Sequence, residues 1–247
     1  MSTISLIVIG IAVLSSSFVS GVFGFAGGML LLGVLLVFFD VPTAMVMFSL
    51  LVMTGNAWRV VAWWRHIRWS ICLGYLAGGL IALLALRSIE FVPSKALVYL
   101  MLGMIPFSIE LLPRTWHPNI EWRGASVFSG LLTTTIQLIA GNGGVFLDIF
   151  FQKSTIDRRT TVVTKAFCRT FGNLARIFYF GTVAGIDPSF PLWVFVPMIL
   201  LAIGGTALAP LLLNRMTEVS FRQWTHTLIF FVGAIYIARA AWLFFEG

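Results

Sequence analysis

Gly24-Phe25-Ala26-Gly27-Gly28 and Gly141-Asn142-Gly143-Gly144 are the two stretches on which the fold of this chain turns. Each interrupts a long apolar run. Each follows a hydroxyl triplet, Ser15 to Ser17 in the first case and Thr133 to Thr135 in the second. Each is followed by the same signature, Gly55-Asn56-x-x-Arg59 and Gly172-Asn173-x-x-Arg176. Asn56 lies 28 positions beyond Gly28, and Asn173 lies 29 beyond Gly144. A spacing that recurs within one residue marks an internally duplicated chain.

The setting of these stretches is hydrophobic. The chain has 247 residues, 59% apolar and 10% charged, with a mean hydropathy of +0.99. Soluble domains are about half apolar and about a quarter charged, so this is an integral membrane protein. Apolar runs of about 20 residues recur throughout, which makes it polytopic and α-helical. The net charge of +7 does not point to nucleic acid, because most Lys and Arg close apolar runs, where they orient helices and meet anionic headgroups. Cys72 and Cys168 sit inside apolar segments and form neither a disulfide framework nor a metal-ligand spacing. The Met1-Ser2-Thr3 start lacks the basic region of a cleavable signal peptide and reads as part of the mature chain. No cofactor motif, Walker loop, catalytic triad or metal set is evident.

Ile4 to Phe39 as one straight helix would be roughly 54 Å long, against a hydrocarbon core of about 30 Å. The first glycine cluster therefore divides it into two shorter helices. Segments ending at Trp64, spanning Trp69 to Leu86, and spanning Ala96 to Leu112 follow. Pro113 to Arg123 is polar and reads as a linker. The second half repeats the plan: Gly124 to Phe151 broken at the second cluster, then Thr160 to Phe180, a turn at Asp187 to Pro191, Leu192 to Leu213, a loop with Arg215, Glu218 and Arg222, and Gln223 to Phe245. The expected architecture is an all-α membrane protein of two homologous repeats, 1–112 and 124–247, joined by 113–123. Each repeat is a glycine-broken helix followed by three transmembrane helices. Trp58, Trp63, Trp64, Trp69, Trp116 and Trp122 suit interfacial belts. Gly74-x-x-x-Gly78-Gly79 and Gly204-Gly205 are small-residue faces, fit for a homodimer or for packing within one protomer.

Charge asymmetry separates kinked spans from re-entrant hairpins. With straight spans, one side of the membrane holds Arg65, Arg68, Arg114 and Arg123, and the other holds seven basic residues. With re-entrant hairpins, those four join Lys153, Arg158, Arg159, Arg215 and Arg222, leaving only Arg87 and Lys95 opposite. The second pattern is what the positive-inside rule expects. It gives each half an odd number of crossings, hence inverted repeats, and places both termini outside the cytoplasm.

Basic residues inside the apolar segments carry the functional signal: Arg59, Lys165, Arg169, Arg176 and Arg239. A charge at mid-membrane costs about 2.5–3.5 kcal/mol on insertion scales and faces a cavity or a partner. Lys165, Arg169, Asn173 and Arg176 share one helical face, as do Ser49, Asn56 and Arg59. Gln137, Gly27, Gly28, Gly143 and Gly144 complete the candidate set at the breaks, where half-helix N–H groups and close backbone approach favour anions. Paired interrupted helices at matching positions are a sequence pointer to a transporter's binding site. Asp148 is either a counter-ion to Lys165 or Arg169, or a proton site for coupling. Arg59 is close enough to Arg65 to snorkel to the interface. Arg239 reads as an interfacial or a packing residue, His66 and His117 as solvated loop residues, and nothing near His226 suggests a ligand set.

These residues carry a resemblance. The glycine-rich break, the following Gly-Asn-x-x-Arg and their recurrence in the second half resemble the sulfite exporter TauE/SafE family of membrane permeases, over nearly the whole chain. The resemblance implies secondary transport of small sulfur-containing anions such as sulfite, sulfoacetate or other organosulfonates, in the cell inner membrane. The expected partners are that anion, the lipid bilayer and a second copy of the chain. An anion channel or a non-transporting assembly subunit is the alternative; an enzyme is not expected.

Overall fold

The computed structural model describes residues 3–23, 25–111, 113, 118–183, 195–213 and 215–246. Met1 and Ser2, Gly24 of the first break, Arg114, Trp116 and His117 of the linker, and the Asp187 to Pro191 turn lie outside the described residues. The described residues form ten α-helices: α1 (Thr3–Phe23), α2 (Phe25–Phe38), α3 (Val41–Trp63), α4 (Trp69–Ser88), α5 (Lys95–Glu110), α6 (Ala125–Ala140), α7 (Gly144–Phe151), α8 (Arg158–Val183), α9 (Phe195–Leu213) and α10 (Glu218–Glu246). Three of the spans are long and apolar enough to cross a membrane: Val41–His66, Trp69–Ser88 and Gln223–Phe245. The last helix begins at Glu218, so Glu218 and Arg222 belong to α10 rather than to the expected loop. Both residue types are good helix formers, and hydropathy alone truncates a helix where its polar end begins.

The exterior is apolar. Leu73, Leu80, Ile81 and Leu84 on α4, Leu200, Ile203 and Leu211 on α9, and Phe231, Ile235 and Trp242 on α10 are all exposed. On α8 the usual arrangement is inverted. Leu174 and Phe178 are 49% and 52% exposed, while Thr164, Asn173 and Arg176 are at 0%, 3% and 0%. A helix with its polar stripe inward and its hydrocarbon outward suits lipid outside and polar contacts within.

Both glycine breaks are sharp reversals. Gly27 packs against Ser16 and Ser20 of α1, which a continuous helix would place roughly 16 and 10 Å away along its axis. Gly143 packs against Thr133 and Gln137 of α6 in the same way. In the second half, both ends of the broken segment lie together. The Ile120 amide donates to the Phe150 carbonyl at 2.9 Å, Asn119 Nδ2 donates to the Lys153 carbonyl at 3.0 Å, and the Thr155 amide donates to Glu121 Oε2 at 2.8 Å. The chain thus enters α6 and leaves α7 at the same end of the molecule.

Helix pairing is ordered. α1 lies parallel to α9, with Gly10 against Leu201 and Gly21 against Thr206 and Ala209. α4 lies parallel to α6, with Gly74 against Ser126, and Gly78 against Val127 and Leu131. The Gly74, Gly78 and Gly205 faces are therefore buried within one chain. α5 runs antiparallel to α10, with Tyr99 on Tyr236 (5.4 Å) and Phe107 on Phe230 (4.9 Å). The two tyrosines donate to carbonyls of α2, Tyr99 to Gly33 at 2.9 Å and Tyr236 to Met29 at 2.8 Å. α3 runs antiparallel to α8 through the middle. Exchanging α1 with α6, α3 with α8, α4 with α9 and α5 with α10 turns the α1–α9 pair into the α4–α6 pair and returns α3–α8 and α5–α10 to themselves, whereas the contacts of α2 with α5 and α10 have no comparable counterpart at α7 among the described residues.

The linker contact with the α7–α8 loop rests on an ionised carboxyl and is expected to weaken in acid. The Thr155 amide, then its hydroxyl, with Arg68 3.6 Å away, hold the Glu121 carboxyl below its ordinary value. A depressed carboxyl stabilises the fold fully above its unfolded value, and that contribution is lost as the pH falls through the folded one. The difference in melting temperature between the wild type and Glu121→Gln, present at pH 7, is expected to close as the pH is lowered through the carboxylate range.

Candidate functional site

The antiparallel contact of α3 with α8 sets the two polar stripes face to face, and they divide into two levels. At the inner level Arg176 is fully enclosed. Its Nε donates to Ser49 Oγ at 2.6 Å, Nη1 donates to the Gly141 carbonyl, and Nη2 donates to Asn173 Oδ1 at 2.9 Å. The guanidinium lies 4.8 Å from the centre of the Phe48 ring. Gln137 Nε2 donates to the same Asn173 oxygen at 3.2 Å. Gly141 ends α6 with φ +80, a left-handed conformation that glycine adopts freely, and its N–H donates to the Gln137 carbonyl. Arg176 therefore caps the negative end of α6 at the point where the chain turns. An arginine without water must commit its donors to fixed acceptors, and three of its bonds are so committed.

At the outer level, α3 and α8 diverge around a cavity of about 710 Å³. Asn56, Arg59, Lys165 and Arg169 line it, with Trp63, Arg158 and Arg159 toward the mouth. Asp157 also reaches it, but this carboxylate accepts from the Arg159 and Thr160 amides at 3.0 Å and caps α8. The cavity wall is thus strongly cationic.

Asp148 on α7 bridges two of these cations. Its Oδ1 is 3.0 Å from Lys165 Nζ, and its Oδ2 accepts from Arg169 Nη2 at 2.7 Å. Arg169 Nη2 also donates to the Gly144 carbonyl at 3.2 Å, while its Nε has no hydrogen-bond partner among the described residues.

The glycines complete the arrangement. A Cβ on Gly28 would stand 2.9 Å from Asn142 Nδ2, and Gly141 touches Leu32 and Met45, so the two breaks meet. A Cβ on Gly144 would stand 3.2 Å from Arg169 Nε, so that half-helix start lies directly against the cation. Gly27 and Gly143 lie at the reversals, against the backbones of α1 and α6. Of the predicted residues, then, Asn56, Arg59, Lys165 and Arg169 share the cavity, Asn173, Arg176 and Gln137 form the enclosed network behind it, and Asp148 pairs with the cations. Sequence reasoning missed Asn142 between the breaks and Phe48 under Arg176. The first was legible as an amide inside a glycine loop; the second has no sequence signal. Arg158 and Arg159, read as loop charges, stand at the mouth. Among the described residues no group of three His, Cys, Asp or Glu could hold a metal, and Cys72 and Cys168 are buried free thiols.

An apolar exterior, a polar interior and a cationic hollow beside two chain reversals define a multi-pass membrane permease. The sequence model of the sulfite exporter TauE/SafE family matches residues 8–236, and the chain belongs to that family. The family comprises transporters, so this protein is a membrane permease of the sulfite-exporter type and not an enzyme. Comparison with curated proteins and with solved structures returned no match.

Proposed function

We propose that this permease is a secondary transporter of small sulfur-containing anions, such as sulfite, sulfoacetate or other organosulfonates, working by alternating access. The observation that carries the proposal is the cavity in which Arg59, Lys165 and Arg169 converge with Asn56 beside the Gly144 turn. Guanidinium, ammonium and amide donors on one hollow suit an oxyanion, whose several oxygens accept in different directions. Arg176, Asn173 and Gln137 shape the hollow by fixing the end of α6.

Alternating access draws support from the principal helix pairs, α1–α9 with α4–α6, α3–α8 and α5–α10, which survive exchange of the two halves and set α3 against α8 and α5 against α10 in opposite directions. That is the relation expected of inverted repeats about an axis in the membrane plane. Arg158 and Arg159 near the mouth favour a cytoplasmic opening in the inner membrane with both termini on the far side.

Proteoliposomes holding the purified protein test this. Uptake of labelled sulfite or a sulfonate against a trans gradient of the same anion is expected to saturate. Arg169→Ala is expected to lower the rate by roughly 30- to 150-fold, the loss of a charged hydrogen bond of about 2–3 kcal/mol. Flux linear in driving force would make the protein a channel, and no flux of any sulfur oxyanion would remove the substrate class.

A further inference from the structure

Resting on the transport reading, we infer that Asp148 is a built-in competitor for the transported anion, so that anion binding and proton uptake by this carboxylate favour each other. The carboxylate lies on both cations that the cavity would offer an anion, at 3.0 Å from Lys165 and 2.7 Å from Arg169. Lys165 and Arg169 line the hollow, while Asp148 reaches them from α7. While ionised it neutralises part of the positive charge that would draw an anion in. Once protonated it no longer does so, and both cations face the cavity with their full charge. Thermodynamic linkage makes the effect reciprocal.

The surroundings isolate Asp148 as the responsible group. It is the only ionisable residue on α7, and α6, packed behind it, has none. From α8 it faces Lys165 and Arg169, and from α3 Arg59 shares the cavity wall. His66, which acts on Asp157 at the mouth, is a second proton acceptor and must be separated from Asp148 by the experiment.

The experiment is titration of the full-length protein in nanodiscs with isethionate, a sulfonate whose charge is constant from pH 5 to pH 8, and with inorganic sulfate and sulfite as further probes. Wild-type affinity for isethionate is expected to rise as the pH falls, by up to about tenfold per unit where one proton is taken up with the anion. Asp148→Asn is expected to bind tightly at every pH, Asp148→Glu to keep the wild-type slope, and any part due to His66 to persist in Asp148→Asn. Repeating the titrations of wild type and Asp148→Asn in buffers of different ionisation enthalpy counts the protons directly: about one more per anion in the wild type than in Asp148→Asn supports the inference, and none in the wild type, or equal counts in the two, overturns it. Binding with an Asp148→Asn slope equal to the wild type's leaves the transport reading standing and ends this one. If neither protein binds any of the three anions, both readings fall together.

Discussion

Arg176→Ala is expected to destabilise the protein by at least ~3 kcal/mol, roughly 6–12 °C in melting temperature for a chain of this size. The side chain is fully enclosed and donates to Ser49, Asn173 and the Gly141 carbonyl, so its removal leaves acceptors unpaired and a void under Phe48. Arg176→Lys does not rescue the loss, because one ammonium cannot replace a planar fork that reaches three acceptors. Thermal unfolding and the yield of monodisperse protein in detergent measure the effect. Arg59→Ala is the comparison, since Arg59 is exposed in the cavity and its truncation leaves the fold intact. If Arg176→Ala melts with the wild type but loses anion binding, Arg176 is a ligand contact rather than the cap of α6.

Gly27→Ala and Gly143→Ala are expected to cost about 2–3 kcal/mol or more each. A methyl on Gly27 would overlap the Ser16 carbonyl and the Ser20 amide, and would stand 2.5 Å from Ser20 Cα. A methyl on Gly143 would overlap the Thr133 carbonyl and stand 3.2 Å from the Gln137 amide. These are backbone atoms of regular helices, and they cannot rotate aside as the end of a lysine could. The only relief is to lift α2 from α1, or α7 from α6, which opens the reversal. Gly204→Ala is the control: its methyl would meet only Leu14 Cδ1, at 4.0 Å. Equal melting temperatures for Gly27→Ala and Gly204→Ala would show that the reversal is not held by this contact.

Much of this fold was legible in the sequence, because lipid imposes length. A 36-residue apolar run cannot be one span, and the glycines say where it divides. The shared faces of Lys165 with Arg169, and of Asn56 with Arg59, follow from 3.6-residue periodicity and reappear as cavity walls. Depth along a face does not follow from periodicity. Arg59 and Arg176 close the same motif in the two halves, yet one is exposed in the hollow and the other is enclosed. Their difference comes from the register of α3 against α8 and from the nearby carbonyl of Gly141, and both depend on residues distant in the chain. The Gly74-x-x-x-Gly78 face was equally undecided, since small residues permit close approach without naming the neighbour. The neighbour is α6.

Asn119, Ile120 and Glu121 are stitched to Phe150, Lys153 and Thr155, two residues short of the carboxylate that caps α8 at the doorway of the hollow. Glu121 also stands 3.6 Å from Arg68 at the start of α4, so this stretch touches the first half as well. A displacement of the corner between α3 and α4 would therefore reach the doorway through Arg68, Glu121 and Thr155, which makes that corner and the width of the doorway mechanically joined.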